Sequence, residues 1–185
     1  PTIDNRNNII LRTLRYYEDY DFEIIVVDSG KIENLQLKKK KIKYFHFPEL
    51  SFLEKLELGI KAASNDLIAI CQDDDFILAE SLNSGYEFLK KNLDYVAVHG
   101  NYVFFEKLFN KIFFKIGYTN ESRKSFDSES TIIRLESIIN VSPQTVSTLT
   151  YKSILLENLA FVKKYNFISL YELTILIFIS LNGKL

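Results

Sequence analysis

Several residue types that define common classes of protein are scarce in this sequence of 185 residues. One cysteine, Cys71, excludes a framework of intramolecular disulfides and a cysteine-rich zinc site. Two histidines are too few for a metal site built on imidazole, so carboxylates would have to hold any metal, which favours Mg²⁺ or Mn²⁺. With only 6 Gly and 3 Pro against 47% hydrophobic residues, the chain is neither disordered nor of low complexity.

An excess of charge of one sign is also lacking, because 23 Lys and Arg oppose 24 Asp and Glu, for a formal net charge of −1. The charge balance therefore does not argue for nucleic-acid binding. The most apolar stretch, residues 173–181, is much shorter than the ~20 residues of a membrane-spanning helix. The polar opening shows no signal peptide. We expect one soluble, cytoplasmic domain over residues 1–185, trimmed before Pro1 because the chain contains no methionine.

The order of helix-like and strand-like segments predicts an α/β fold with a doubly wound sheet. Short apolar, β-branched runs are typical of strands, which we expect at residues 23–27, 42–47, 67–71, 95–99 and 145–151. Apolar residues at helical spacing predict helices at residues 7–17, 52–63, 79–91 and 170–181. Between residues 102 and 144 the periodicity degrades, and we expect hairpins and loops there.

Three consecutive carboxylates, Asp73, Asp74 and Asp75, follow a predicted buried strand. Strand alternation would point Asp73 and Asp75 to one side and Asp74 to the other. Two carboxylates at the carboxyl end of a strand suit a divalent cation that itself binds a phosphate, and ligands of open α/β sheets bind at that edge. The alternative is an acidic turn whose aspartates cap the following helix.

A further carboxylate, Asp28, ends the other buried strand and is followed by Ser29 and Gly30. It could accept a hydrogen bond from a nucleobase N–H or a ribose hydroxyl. The alternative is a structural Asx-turn in which Gly30 supplies the turn conformation.

Other charged and aromatic residues allow two interpretations each. Lys55, on the helix before the acidic residues, could reach a phosphate, although a solvated helix face is the simpler expectation. The basic run at residues 38–41 could contact anionic lipid or form a charged loop before an edge strand. The aromatic residues within 102–114 are expected to pack into the core, and the alternative is a sugar-stacking surface or partner groove.

Three short segments of the sequence together resemble motifs of glycosyltransferase family 2. Residues 1–6 (PTIDNR) are similar to the family's Pro-Thr-x-x-Arg opening, and residues 26–30 (VVDSG) are similar to its Val-Val-Asp-Asp-Gly strand end. Residues 70–75 (ICQDDD) resemble its Asp-x-Asp strand end. The order and approximate spacing of the three segments match over residues 1–102.

The resemblance implies a GT-A fold, which is a Rossmann-like, mostly parallel sheet flanked by helices, with the first strand largely missing before Pro1. It implies a nucleotide-sugar-binding half over residues 1–102 and an acceptor-side half over residues 103–185. The implied partners are a nucleotide-diphosphate sugar as donor and a carbohydrate or lipid-linked acceptor. The implied cofactor is Mn²⁺ or Mg²⁺.

Carried over residue by residue, the resemblance implies that Thr2 and Ile3 line the nucleotide pocket and that Asp28 contacts the nucleobase. Asp73 would lie nearest the ribose and diphosphate and share the metal with Asp75, the chief metal ligand. Asp74 would be the variable middle position.

The resemblance also implies a catalytic base late in the chain, commonly within Glu-Asp-x-x-Leu at the start of a helix. Residues 169–173 (SLYEL) offer Glu172, although the acidic pair is not reproduced. A lone glutamate in a first helical turn is otherwise explained by the helix macrodipole. In the implied reaction, which inverts the anomeric carbon, a base takes the proton of the acceptor hydroxyl and the cation neutralises the leaving diphosphate.

Two other functions fit parts of the same pattern. A non-catalytic member could keep the nucleotide-binding fold as a binding or assembly module. A different metal-dependent phosphotransferase, resembling receiver domains, could use Asp28 and the acidic triplet.

Overall fold

The computed structural model describes residues 1–3, 6–38, 40–118, 124–141, 147–165 and 169–185. Its helices are α1 (Asn7–Tyr16), α2 (Leu35–Lys38), α3 (Phe52–Ala62), α4 (Ala79–Lys91), α5 (Thr131–Val141), α6 (Lys152–Tyr165) and α7 (Ser169–Asn182). Its strands are β1 (Ile25–Asp28), β2 (Lys43–His46), β3 (Leu67–Ala69), β4 (Ala97–Val98), β5 (Val103–Leu108), β6 (Lys111–Ile116) and β7 (Leu149–Tyr151). The α/β class and the predicted helices are confirmed.

The strands near the acidic residues form two small sheets. β1 and β2 form a parallel pair, in register from Ile25 opposite Lys43 to Asp28 opposite His46. β7 lies between β3 and β4 and is antiparallel to both. A single, mostly parallel sheet is therefore not confirmed, because the late strand β7 occupies the place between β3 and β4.

Strand β3 is shorter than predicted, since it ends at Ala69 rather than at residue 71. Its partner β7 begins at Leu149, directly after a segment in which Ser147 adopts a left-handed conformation with φ of 76°. Ladder pairing within the described residues therefore stops at Ala69 opposite Leu149. The acidic residues follow in a turn rather than on the strand itself.

The local sequence of helix α3 explains where the helix begins and which of its residues enter the core. Ser51 caps its N-terminus: the Ser51 hydroxyl accepts from the Glu54 amide, and the Ser51 amide donates to Glu54 Oε2 at 2.9 Å. Leu53, Leu56 and Ile60 follow at helical spacing and enter the main core, which α6 and α7 also build. A smaller core lies between α1, β1 and α2.

An apolar groove of about 460 Å³ lies between β1 and β3. Residues 24–27 line one side, and residues 67–71 line the other. Thr2 pairs in parallel with Asp28: its amide donates to the Val27 carbonyl at 3.0 Å, and its carbonyl accepts from the Ser29 amide at 3.2 Å. Pro1 lines the groove. A chain that runs parallel to β1 into Thr2 would therefore pass along this groove.

The aromatic residues of the central region do not pack into the core. β5 and β6 form an antiparallel hairpin, and every residue of the two strands is exposed. The expectation of core packing is therefore wrong for Phe104, Phe105, Phe109, Phe113 and Phe114. The alternating pattern of a two-stranded hairpin buries neither face by itself, so these rings are covered only where another element packs on them.

The last residues of the chain pack against the segment before β4. Lys184 pairs in parallel with Tyr95, and Gly183 follows the end of α7. A Cβ atom on Gly183 would lie 2.5 Å from Cγ1 of Val96 and 2.9 Å from the Asp94 carbonyl oxygen.

We expect Gly183→Ala to lower the free energy of unfolding by roughly 1–3 kcal/mol in urea denaturation. The added methyl group would clash with the Asp94 carbonyl oxygen, and this backbone atom cannot move without shifting the chain around it.

Gly100→Ala is the matched control, since a Cβ atom there meets nothing within 4 Å. Equal unfolding free energies for the two variants would contradict the close approach at Gly183.

Candidate functional site

The carboxylate of Asp73 is buried, with 1% of its side chain exposed, and both of its oxygens are bonded within the domain. Thr2 Oγ1 donates to Asp73 Oδ2 at 2.8 Å, and Arg6 Nη1 donates to Asp73 Oδ1 at 2.6 Å. Thr13 Oγ1 donates to the Asp73 main-chain carbonyl at 2.7 Å. A buried charge is tolerated when it is paired and hydrogen-bonded in this way. The structure thus joins the opening of the chain to the acidic turn.

Arg6 binds two neighbouring aspartates with one guanidinium. Besides its bond to Asp73, its Nη2 donates to Asp74 Oδ2 at 2.6 Å. The prediction that alternation points Asp74 away from Asp73 is therefore wrong. Alternation applies to extended strands, and β3 ends at Ala69, before these residues.

The acidic turn contains a carboxylate oxygen that accepts no hydrogen bond from the described residues. Asp74 Oδ1 is buried without a hydrogen-bond partner in the described part of the chain. Asp75 is exposed, and partial desolvation of its carboxyl, followed by repulsion from Asp74 and Asp73, raises its pKa above the ordinary value. A cation at this turn would relieve that repulsion.

Asp28 is buried, with 2% of the residue exposed, and is also bonded from two directions. Its Oδ1 accepts from the Gly30 amide at 2.8 Å, which is the Asx-turn that was the structural alternative. Its Oδ2 accepts from the hydroxyl of Tyr44 at 2.8 Å. Burial, and then the bond to Asp28, raise the pKa of Tyr44, so the phenol remains a donor. His46 bonds the Gly30 carbonyl through Nε2 at 2.7 Å.

Lys55 lies inside the site, and the expectation of a solvated helix face is wrong. Its ammonium is buried and donates to the Thr2 carbonyl at 3.0 Å and to Ser29 Oγ at 2.8 Å. Burial lowers the pKa of Lys55, against the opposing effect of Asp28 and Asp73. The side chain therefore places a positive charge between the two strand-end carboxylates.

Thr2, Asp28 and Asp73 are thus brought together at the carboxyl ends of β1 and β3. Ile3 follows Thr2 directly and is half exposed. The sequence did not identify Arg6 and Tyr44 as site residues, although Arg6 lies within the PTIDNR motif. It offered Lys55 as a phosphate contact only as the less favoured interpretation. No sequence motif marks Tyr44, because its hydrogen bond to Asp28 depends on the register of β2 beside β1.

Glu172 is exposed in the first turn of α7. No hydrogen bond or ion pair joins it to the acidic turn among the residues that the structure describes. Its helix packs on α5 and α6 rather than on the strands that carry the carboxylates. Its role as a base stays a prediction.

The acidic turn offers oxygen atoms of the kind that a divalent cation binds. Across the described ranges, no cluster of three or more His, Cys, Asp or Glu residues is arranged to hold a metal. Magnesium is commonly held by one or two carboxylates together with substrate phosphates, so a smaller protein set is sufficient. Asp75, whose side chain is exposed, is a hard oxygen donor of this kind, whereas the unpartnered Asp74 Oδ1 is buried. Asp73 fits this role less well, because Thr2 and Arg6 bond its two oxygens.

Two lysines of the basic run at residues 38–41 form ion pairs within the domain. Lys38 pairs with Glu33, and Lys40 pairs with Glu18, while Lys39 lies outside the described residues. None of the described helices is both long and apolar enough to cross a bilayer.

Sequence comparisons with known proteins relate this chain to glycosyltransferases. The sequence profile of glycosyl transferase family 2 matches residues 4–143, which include Asp28 and the acidic turn. The chain is 27% identical over 134 residues to an uncharacterized glycosyltransferase of Rickettsia conorii and 26% identical over 134 residues to one of Rickettsia felis. Each alignment covers 69% of this chain and 19% of the relative. An uncharacterized glycosyltransferase of Rickettsia bellii is 30% identical over 88 residues, which are 44% of this chain and 13% of that protein.

The chain therefore spans about a fifth of the length of the first two relatives. The profile match extends over most of the chain and contains both strand-end carboxylates. The chain belongs to glycosyltransferase family 2.

Proposed function

We propose that this domain transfers a sugar from a nucleotide-diphosphate sugar to an acceptor hydroxyl, with Mn²⁺ or Mg²⁺ bound at the acidic turn. Family membership supports glycosyl transfer as the general activity. The observation that carries the assignment is the convergence of Thr2, Asp28 and Asp73 at neighbouring strand ends, with Lys55 between the carboxylates. A nucleotide and its diphosphate need such a combination of acceptors and positive charge.

Donor binding is assigned to Thr2, Ile3, Asp28 and Asp73. The Gly30 amide and the Tyr44 hydroxyl hold the carboxylate of Asp28 in one orientation. Each carboxylate oxygen has a second acceptor position, so Asp28 could still accept a nucleobase N–H or a ribose hydroxyl. Asp73 contributes mainly by positioning Thr2 and Arg6.

Asp75 is the chief metal ligand in this proposal, and Asp73 is the second carboxylate predicted to share the metal. When bound, the cation would neutralise charge on the leaving diphosphate. The geometry favours Asp75 because its carboxylate is exposed, whereas Asp73 is enclosed. Arg6 holds Asp73 and Asp74 together and so limits repulsion within the turn in the absence of a cation.

Glu172 is proposed as the base that takes the proton of the acceptor hydroxyl in an inverting displacement. The acceptor is proposed to be a carbohydrate or a lipid-linked molecule. A cytoplasmic location is proposed as well, since the free Cys71 is compatible with a reducing compartment.

A nucleotide-sugar-binding module without turnover is the second candidate. The separation of α7 from the strand ends favours it, because Glu172 has no described link to the acidic turn. A metal-dependent phosphotransferase is less well supported than these two candidates, because the chain belongs to a glycosyltransferase family. Such an enzyme would use Asp28, whose carboxylate oxygens accept from the Gly30 amide and the Tyr44 hydroxyl.

Family membership implies a GT-A fold. We propose that the apolar groove between β1 and β3 is the place of the first strand of that fold. Support comes from Thr2, which pairs in parallel with Asp28 at the mouth of the groove, and from the apolar residues that line both sides.

Replacing Asp75 by alanine tests the metal site. We expect Asp75→Ala to weaken Mn²⁺-dependent binding of uridine or guanosine diphosphate at least tenfold in calorimetry, or about 1.4 kcal/mol. Because the pKa of Asp75 is raised, binding by the unchanged protein should weaken as the pH falls through that raised value, and the variant should lose this dependence. Asp19→Ala, at an exposed aspartate after α1, is the control, and equal affinities for both variants would contradict the assignment.

Replacing Glu172 by glutamine separates the two candidate functions. A base contributes roughly 10²- to 10⁴-fold, so Glu172→Gln should lower the rate of donor consumption by that factor and leave donor affinity unchanged. Glu157→Gln, at an exposed glutamate of α6, should have no effect. If the unchanged protein binds donor with Mn²⁺ but consumes none with any acceptor tested, the binding module is the correct function.

The groove is tested by extending the chain before Pro1 with about five alternating valine and isoleucine residues, at ~3.3 Å per residue. We expect the free energy of unfolding to rise by roughly 2–5 kcal/mol, because apolar side chains enter the groove. A glycine–serine extension of equal length is the control. No gain over that control would contradict the proposed strand.

A further inference from the structure

The hairpin of β5 and β6 extends from the domain with both faces exposed. Its register runs from Val103 opposite Ile116 to Leu108 opposite Lys111. Phe109 and Asn110 form the turn with φ values of 46° and 64°, which is the left-handed pair of a type I′ hairpin. A two-stranded hairpin is marginally stable by itself in water, so a covered face would stabilise it.

The two faces of the hairpin differ in composition. Residues directly opposite each other share a face, and successive residues alternate between faces. One face, called the apolar face here, carries Val103, Phe105, Ile112, Phe114 and Ile116, together with Lys107 nearest the turn. The opposite face carries Phe104, Glu106, Leu108, Lys111, Phe113 and Lys115. Two rings of the hairpin have described contacts with rings outside it: Phe105 with Phe76 at 6.2 Å between centroids, and Phe104, on the opposite face, with Tyr102 at 5.4 Å.

The turn presents an aromatic ring beside positive charge. Phe109 is 99% exposed at the apex. Lys107 and Lys111 flank it, and Lys115 lies further along β6. The described residues include no ion-pair partner for any of these three lysines. Glu106 is the one acidic residue of the two strands, so the hairpin is positive in a chain of net charge −1.

We propose that this hairpin binds the surface of an anionic lipid bilayer, with Phe109 and the apolar face in the interface and the lysines at the headgroups. The charge of the hairpin is complementary to such a surface, and each lysine near it adds attraction. Apolar side chains of an amphipathic element enter the boundary between headgroups and acyl chains. A second copy fits less well, since pairing two hairpins would bring unpaired lysines of the same sign together. The inference is independent of the sugar-donor site.

The test is cosedimentation of the 185-residue chain with vesicles of phosphatidylcholine alone or mixed equally with phosphatidylglycerol. We expect binding to the anionic vesicles that weakens in high salt, because screening reduces the attraction of exposed charges. Binding to neutral vesicles should be much weaker.

Two hairpin variants measure the separate contributions. Phe109→Ser should reduce the partition coefficient roughly 10- to 100-fold, as expected for an aromatic side chain that leaves an apolar environment. Lys107→Gln with Lys111→Gln should reduce it by about 30-fold, at roughly fivefold per lysine. Both changes lie at exposed positions, and circular dichroism would confirm that the variants are folded.

The matched controls lie at exposed positions outside the hairpin. Leu93→Ser removes an apolar side chain that is 83% exposed, and Lys90→Gln with Lys164→Gln removes two exposed charges. Neither control should change vesicle binding.

Three outcomes would overturn the proposal. They are equal binding to neutral and anionic vesicles, equal losses in the hairpin and control variants, and no vesicle binding at all. In the last case, dimerisation that Phe109→Ser abolishes would identify a second copy as the occupant. Donor binding measured on the same samples is expected to be unchanged, so failure here is distinguishable from failure of the proposed transferase site.

Discussion

The buried carboxylate of Asp73 is the group on which the arrangement of the site depends. A charge at this depth is stable only with partners, and it finds them in Thr2 and Arg6, which are about seventy residues away in the chain. Thr2 in turn pairs with Asp28 in β1 and accepts from Lys55 in α3. Together these contacts join the opening of the chain, the end of β1, α3 and the acidic turn to one another.

The same contact divides the acidic residues by role. Arg6 pairs with both Asp73 and Asp74 and so offsets part of their charge, which lets these two carboxylates lie close together. Asp75 receives only part of that compensation, and partial desolvation, followed by repulsion from Asp74 and Asp73, raises its pKa. A divalent ion and a diphosphate would together supply the missing positive charge and a balancing negative one. In the proposed function, Asp75 is the exposed carboxylate that would bind a metal, whereas Asp73 holds Thr2 and Arg6 in place.

The hairpin of β5 and β6 follows a different physical rule. Its residues alternate between an apolar and a mixed face, yet no described element covers the apolar face beyond the contact of Phe105 with Phe76. Covered by lipid, it would hold the domain at a bilayer without any spanning helix. The acidic turn lies near the hairpin through the contact of Phe76 with Phe105, so a bilayer bound there would also lie close to the acidic turn.

The sequence alone determined the α/β class, the positions of α1, α3, α4 and α7, and the acidic residues at the end of β1 and after β3, because these follow from local periodicity and short motifs. It did not predict α2, α5 or α6, and α5 lies within residues 102–144, where hairpins and loops were expected. It could not determine that β7 inserts between β3 and β4, since strand order depends on contacts between segments about eighty residues apart. Tertiary structure also decided that Lys55 is buried, that Arg6 bridges two aspartates and that the aromatic hairpin is exposed. The physical reason is common to all of these: a side chain's burial and charge partners are set by what packs opposite it, and local sequence does not specify that neighbour.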